Sequence, residues 1–441
     1  MIKRFIRRVF GLDAPGPLRV PQARHGITRN AISTGALKVC DVLADHGHPV
    51  YVVGGAVRDL LLNIEPKDFD IATGARPEQI KPLFRRALLI GRRFRLVHVM
   101  LGPETLEVST FRAADSKTAE KDEHGRVLRD NVFGTLEEDA RRRDFTVNAL
   151  YFDPGTGDVI DYHGGLADLK KRTLRIIGDP ETRFREDPVR MLRAVRLGAK
   201  LGLSIDGATR GPIKRLAPLL EHVPPPRLFE EMLKLLLSGH SNACLRQLRH
   251  EGLHKGMLPL LDVILDQPLG ERFVTLALAQ TDERVLEDRP VSPAFLFAAL
   301  LWHEVLAAWK AREKRGERRI PALEFAMDDV LDAQSGKLAI TRRLTATMRE
   351  VWAMQPRFDE RSGQRPHRLL ELPRFRMAYD FLALRAASGE VPAELETWWR
   401  AFQSADPETR EEMLLPDTGG PKKRRRRRRG KKPIEGAPPP A

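Results

Sequence analysis

The sequence predicts an α/β head built on a small mixed sheet, followed by an all-α neck and body, so that the chain is mostly helical overall. Three observations point there. Strand-like and helix-like runs alternate between Pro49 and Phe111, the pattern of an α/β layer. From Pro188 onward, Leu/Arg-rich segments recur at helical spacing. Tyr occurs only 4 times while Leu and Ala are abundant, which favours helix over sheet.

The elements follow in order. Met1–Phe10 is basic and amphipathic and lacks the uninterrupted apolar core of a secretory signal. It reads as a frayed terminus or as a peripheral contact with a membrane or RNA. Pro- and Gly-rich residues 11–30 read as a linker. A helix is expected over Ile32–His46, a buried strand over Pro49–Val53, then Gly54-Gly55 and a helix over Ala56–Leu62. A second strand fits Asp68–Ala72, a helix Pro77–Ala87, and further strands Leu96–Leu101 and Thr105–Phe111. Polar residues 113–132 read as a mobile loop. The helical part is broken at Pro224-Pro225-Pro226, at Pro268 and near Gly316 and Gly363, and its last helix ends near Leu415. The expected domains are a basic extension and linker (1–30), the head (31–165), a helical neck (166–240), a helical body (241–415) and a disordered Arg-rich tail (416–441).

The 441 residues are 42% hydrophobic and 31% charged, which excludes wholesale disorder. The net charge is +15, and residues 421–441 alone supply +9 of it. The folded part is therefore only mildly basic, and Lys422–Arg429, with Arg424, Arg425, Arg426, Arg427, Arg428 and Arg429 at its heart, is a separate polycationic arm. Such an arm fits nucleic acid first and an anionic membrane second. Two cysteines, Cys40 and Cys244, stand far apart outside any CxxC or Cys/His cluster. No disulfide framework and no structural zinc are expected, and a reducing cytoplasm is the default. No apolar run approaches a membrane span of roughly 18–20 residues.

Asp68 and Asp70 are one residue apart in a strand-like run, so their carboxylates project from one face. That arrangement suits a two-metal site, with Mg²⁺ the natural ion because it prefers oxygen ligands and keeps substrate phosphates in its shell. A lone DxD carries little, since many are turn or cap residues. Here it closely follows a strand that runs into Gly54-Gly55 and a helix. Glycines let backbone N–H groups approach a phosphate, and Arg58, one turn into the helix, can reach a phosphate oxygen. A third carboxylate is expected as general base or ligand. Glu107, on a mostly apolar strand, is one candidate; its alternative is a water-facing edge position. Asp144 is the other; its alternative is a helix cap or a salt bridge to nearby arginines.

In Arg185–Arg196, Asp187 fits an N-cap and Pro188 the first helical position. Arg190, Arg193 and Arg196 share one side; Val189, Leu192 and Val195 face the core. One reading is a capped helix with a solvated arginine stripe. The other sets Asp187 and Arg190 across a base edge. A carboxylate accepts from the adenine N6 amine while a guanidinium donates to N1. Cytosine presents the same order at N4 and N3; guanine and uracil present the reverse. The pair therefore admits ATP or CTP and does not choose between them.

Taken together these segments resemble the bacterial class II tRNA nucleotidyltransferase / poly(A) polymerase family, over roughly Val50 to Leu203. Gly54-Gly55-Ala-Val-Arg58-Asp59…Asp68-Phe-Asp70 resembles its metal-binding motif. Arg142-Arg143-Asp144-Phe-Thr-Val-Asn148 resembles its second motif, which implies that Asp144 and Asn148 lie near the nucleotide sugar and the metals. Asp161-Tyr-His-Gly164-Gly165 resembles the head–neck hinge. Glu186-Asp187-Pro-Val-Arg190-Met-Leu-Arg193 resembles the amino-acid template that pairs with the incoming base. The resemblance implies a nucleotidyltransferase head binding ATP and two Mg²⁺, with the 3′ end of an RNA attacking the α-phosphate and pyrophosphate leaving. Gly91–Val99, Arg129–Gly134 and the Arg-rich tail resemble the poly(A) polymerase branch, which implies adenylate addition, a part in RNA turnover and RNA-decay partners. The alternatives are CCA addition to tRNA and a non-catalytic RNA-binding protein of the same fold; the intact Asp68, Asp70 and Glu107 speak against the second. No His-Asp dipeptide occurs, so the phosphohydrolase domain fused to some CCA-adding enzymes is not supported.

Overall fold

The computed structural model describes residues 16–91, 95–113, 120–121, 127–129, 132–253, 268–335 and 339–416. The basic start, most of 113–132 and the arm at Arg424–Arg429 therefore lie outside the described residues. Two compact units are present, Met1–Arg349 and Glu350–Ala441, and the division falls inside the segment expected as one helical body.

The first unit holds one large mixed sheet. Its strands are β1 (Leu18–Val20), β2 (Val50–Val53), β3 (Asp70–Thr73), β4 (Ala87–Ile90), β5 (Leu96–Leu101), β6 (Glu104–Thr110), β7 (Leu150–Phe152) and β8 (Val159–Asp161). They run in the order β1-β8-β7-β2-β3-β6-β5-β4. Every pairing is antiparallel except β3 with β6. Helix α1 (Thr34–Asp45) is capped by Ser33, whose side chain accepts from the Ala36 N–H at 3.1 Å. Its Ala36, Val39, Cys40 and Leu43, at i, i+3, i+4 and i+7, are buried, and it packs along β2 and β3.

Three expectations change. Residues 77–87 do not form one helix. A single turn (Pro77–Ile80) passes into a 3₁₀ turn (Lys81–Leu83), because Pro82 has no N–H to continue an α-helix; Ala87–Ile90 then turns into β4 and pairs with β5. The linker expected over 11–30 contains β1, which pairs with β8 between Pro17 and Pro21. Within 113–132, Glu120–Lys121 and Val127–Arg129 form a short antiparallel pair rather than loop.

Beyond the sheet come α2 (Gly55–Leu61), α3 (Leu136–Arg142), α4 (Pro180–Glu186), α5 (Val189–Leu201), α6 (Pro225–Leu236), α7 (Ser241–His250), α8 (Pro268–Leu286), α9 (Pro293–Lys314) and α10 (Arg319–Ser335). Helices α6 and α7 pack on α5. Helix α9 is long and apolar enough to cross a bilayer, against the expectation of no such run, but two-thirds of that stretch is buried inside the unit. The second unit centres on α11 (Phe375–Ser388) and α12 (Ala393–Ser404), where the Trp399 indole N–H donates to the Phe358 carbonyl at 2.8 Å within an aromatic core.

Candidate active site

Strand β2 is built from β-branched and aromatic residues and ends at Gly54, whose φ of 78° and ψ of −125° only glycine adopts without strain. The chain then enters α2. Arg58 of α2 is buried, with Nε donating to Asp59 at 2.8 Å and Nη1 to the Asn148 side-chain oxygen at 2.5 Å. It holds Asn148 in place from inside the protein rather than standing open to a phosphate.

Strand β3 begins at Asp70, two residues later than the sequence indicates, so Asp68 lies on the approach to the strand; both residues are exposed. Asp70 stands opposite Val53 of β2 and Glu107 of the parallel β6. Glu107 stands opposite His98 of β5, with the His98 Nε2 3.7 Å from its carboxylate. Cross-strand partners project on the same face, so Asp70, Glu107 and His98 form a row. Strand β6 lies inside the sheet, which rules out the edge-strand reading of Glu107. Loss of hydration at the sheet face, then the neighbouring Glu107, push the Asp70 carboxyl up to about 6; Arg143 pulls it down and Asp68 adds to the rise. Among the described residues no three His, Cys, Asp or Glu side chains already converge on one centre. The fit to divalent cations rests on hard oxygen donors and on carboxylates crowded enough to repel.

Helix α3 starts in a capping box in which Thr135 and Glu138 satisfy each other's backbone N–H groups. It delivers Asp139 and then Arg143. The Arg143 guanidinium donates to Asp139 and to the Tyr151 hydroxyl and lies beside Gly54. Asp144 follows. Its Oδ2 receives Arg193 Nε at 2.8 Å and Nη2 at 2.6 Å, and its Oδ1 receives the Asn148 amide and the Phe145 N–H. Burial alone would raise this carboxyl, but Arg193 and these donors hold it well below the usual carboxylate range. Of the two candidates for a third carboxylate, Glu107 is in register with Asp70, whereas Asp144 is committed to Arg193.

The arginine stripe on α5 is not solvated. Arg190 donates to the Arg183 carbonyl at 2.7 Å and to Glu186 at 3.0 Å. Arg193 bridges Asp144 and Glu231, and Arg196 pairs with the same Glu231. Val189, Leu192 and Val195 are buried as expected. Pro188 already has helical dihedrals, and the Asp187 side chain accepts from the Val189 N–H at 3.3 Å, so Asp187 does cap the helix. Its other oxygen receives Arg227 Nη2 from α6. These groups border a cleft of about 370 Å³ that also includes Arg143, Asp144, Glu230, Glu231 and Lys234. That volume suits a nucleotide-sized ligand. Asp187, Arg190, Arg193 and Asp144 thus share one cleft, and Arg143 links it to the carboxylate row. Arg143 and Arg227 are not picked out by sequence reasoning. Arg143 sits within a quoted motif, but Arg227 follows three prolines some 40 residues from Asp187, and only the α5–α6 packing brings it in.

The fold sets the class: this is a nucleotidyltransferase. The chain resembles the CCA-adding enzyme of Bacillus stearothermophilus solved in complex with CTP, with a TM-score of 0.56 and 27% identity, covering 83% of this chain and 80% of that one. Residues 50–175 match the poly A polymerase head domain, 202–265 the probable RNA and SrmB-binding site of polymerase A, and 315–433 the polymerase A arginine-rich C-terminus. Poly(A) polymerase I of Escherichia coli O157:H7 is 48% identical over 409 residues, covering 90% of this chain and 88% of its own. That of Haemophilus influenzae is 44% identical over 406 residues, covering 90% of both chains. The chain belongs to the bacterial poly(A) polymerase I family.

Proposed function

We propose that the chain adds AMP units from ATP to RNA 3′ ends without a template, releasing pyrophosphate. The observation that carries this reading is that a carboxylate row and a base-sized cleft lined by Asp187 and Arg190 share one wall, Arg143. The likeness to poly(A) polymerases spans 90% of the chain, whereas a CCA-adding enzyme of Bacillus licheniformis matches over 54% of it.

In this reading Asp68 and Asp70 hold two Mg²⁺, with Glu107 as the third carboxylate. The ions, when bound, supply the charge that activates the attacking hydroxyl and steadies the triphosphate. The chain's own residues do the rest. Gly54 and Gly55 leave room for the phosphates beside Arg143. Arg58 and Asn148 orient Asp144, which fixes Arg193 at the cleft wall. Asp187 and Arg190 read the base edge once Arg190 turns from Glu186 to the base. The basic body and tail hold RNA, and the setting is cytoplasmic.

CCA addition is the competing activity, since the CCA-adding enzyme solved with CTP shares the fold. A tRNA lacking its terminal CCA decides between them. With ATP and CTP together, the proposed enzyme extends it with adenylates; ordered C-C-A addition that then stops would overturn the assignment.

A further inference from the structure

Asp187 and Arg190 admit adenine and cytosine alike, so a chain that selects ATP needs a third reader. We propose that Arg227 is that reader: Nη2 holds Asp187 and Nη1 donates to the purine N7. This rests on the adenylate-adding function proposed above.

Three observations support it. Arg227 Nη2 donates to Asp187 Oδ2, so the guanidinium adjoins the carboxylate assigned to the exocyclic amine. Nη1 is buried and has no hydrogen-bond partner, although it belongs to a residue lining the cleft. An unpaired buried donor is costly unless a ligand completes it. The guanidinium is also firmly placed. Pro225 and Pro226 start α6, and Arg227, Glu230, Glu231 and Lys234, at i, i+3, i+4 and i+7, present one stripe to the cleft.

The chemistry follows from the ring. In adenine the N6 amine lies between N1 and N7, both acceptors. With N6 on Asp187 and N1 on Arg190, a donor on the far side of Asp187 meets N7. In cytosine the same position is the C5–H, which accepts nothing and leaves Nη1 unsatisfied. Guanine has an N7 but turns O6 toward Asp187. Adenine alone satisfies all three groups. Asp187 can serve Val189, Arg227 and the amine together, because a carboxylate offers about four lone-pair sites.

The test compares ATP with 7-deaza-ATP, which carries a C–H in place of N7, in single-nucleotide addition to a short unstructured RNA. Wild-type protein should use 7-deaza-ATP with a kcat/KM roughly 10- to 100-fold lower. Arg227→Met should be nearly indifferent between the two and should favour ATP over CTP by a correspondingly smaller ratio. Equal use of both analogues by wild type overturns the proposal, and that arm does not depend on the variant folding. A variant that loses activity on both while keeping the wild-type ratio shows Arg227 to be a support for Asp187 only, and overturns it as well. Failure of wild type to add any nucleotide would instead refute the proposed function.

Discussion

Asp70 carries the tension between stability and chemistry. Its carboxyl is pushed up to about 6 from an ordinary 3.8, by lost hydration and then by Glu107. The folded chain therefore binds this proton more tightly than the unfolded chain does. The resulting stability is full below the ordinary value and is lost as pH rises through about 6. At pH 7–8, without added metal, Asp70→Asn should raise Tm while abolishing nucleotide addition. Added Mg²⁺ should raise the wild-type Tm and leave that of the variant almost unchanged. Melting curves that respond equally to Mg²⁺ would contradict the ligand assignment. Asp144 is the opposite case. Its side chain is 11% exposed and bound to Arg193. Asp144→Ala should cost about 3–5 kcal/mol in denaturant unfolding, because it strands a charge in the interior. A loss under 1 kcal/mol would show that Glu231 can take over Arg193.

At the scale of elements, the turn from β8 into the helix Gly165–Lys170 depends on one carboxylate. The buried Asp161 accepts from the N–H groups of His163, Gly164, Gly165 and Leu166. Gly165 lies so close to the Thr146 carbonyl that an added Cβ would sit 2.3 Å from its oxygen. Asp161→Ala should therefore destabilise the first unit by at least about 3 kcal/mol, since several buried donors lose a charged acceptor; Asp161→Asn should cost less. Equal losses in the two variants would mean that the charge contributes nothing. The motif around Asp161 is visible in the sequence, but its role as a four-way cap is not, because backbone donors leave no trace in residue identity. Strands β2, β5 and β6 are legible because their apolar runs are long and bounded by turn residues. Strand β4 is not: Leu88-Leu89-Ile90 continues a helical-looking run, and only pairing with β5 decides its conformation. The pairing of Glu107 with Asp70 is equally hidden, since it follows from a parallel register across 37 residues of chain.

For the whole molecule, the charge is concentrated at one end. Residues 422–432 hold ten cations in eleven positions and almost no apolar anchor. They can neutralise RNA phosphates and raise the local RNA concentration without touching the chemistry. Truncation after Pro416 should weaken RNA binding at low salt, flatten a salt dependence of roughly −0.7 per phosphate contact, and leave turnover at saturating RNA nearly unchanged. Superimposable salt curves for the full and truncated chains would assign the tail to another anionic partner. The tail's sign and strength are legible from composition alone. The nucleotide cleft is only half legible, because Asp187 and Arg190 announce themselves within one helix while Arg227 arrives from another. The most direct test of the account is incubation of the full chain with a short unstructured RNA, Mg²⁺ and each nucleoside triphosphate separately. The account predicts a lengthening adenylate ladder with ATP, with pyrophosphate released, and little extension with CTP, GTP or UTP. Extension by CTP comparable to that by ATP, or none by ATP, would contradict it.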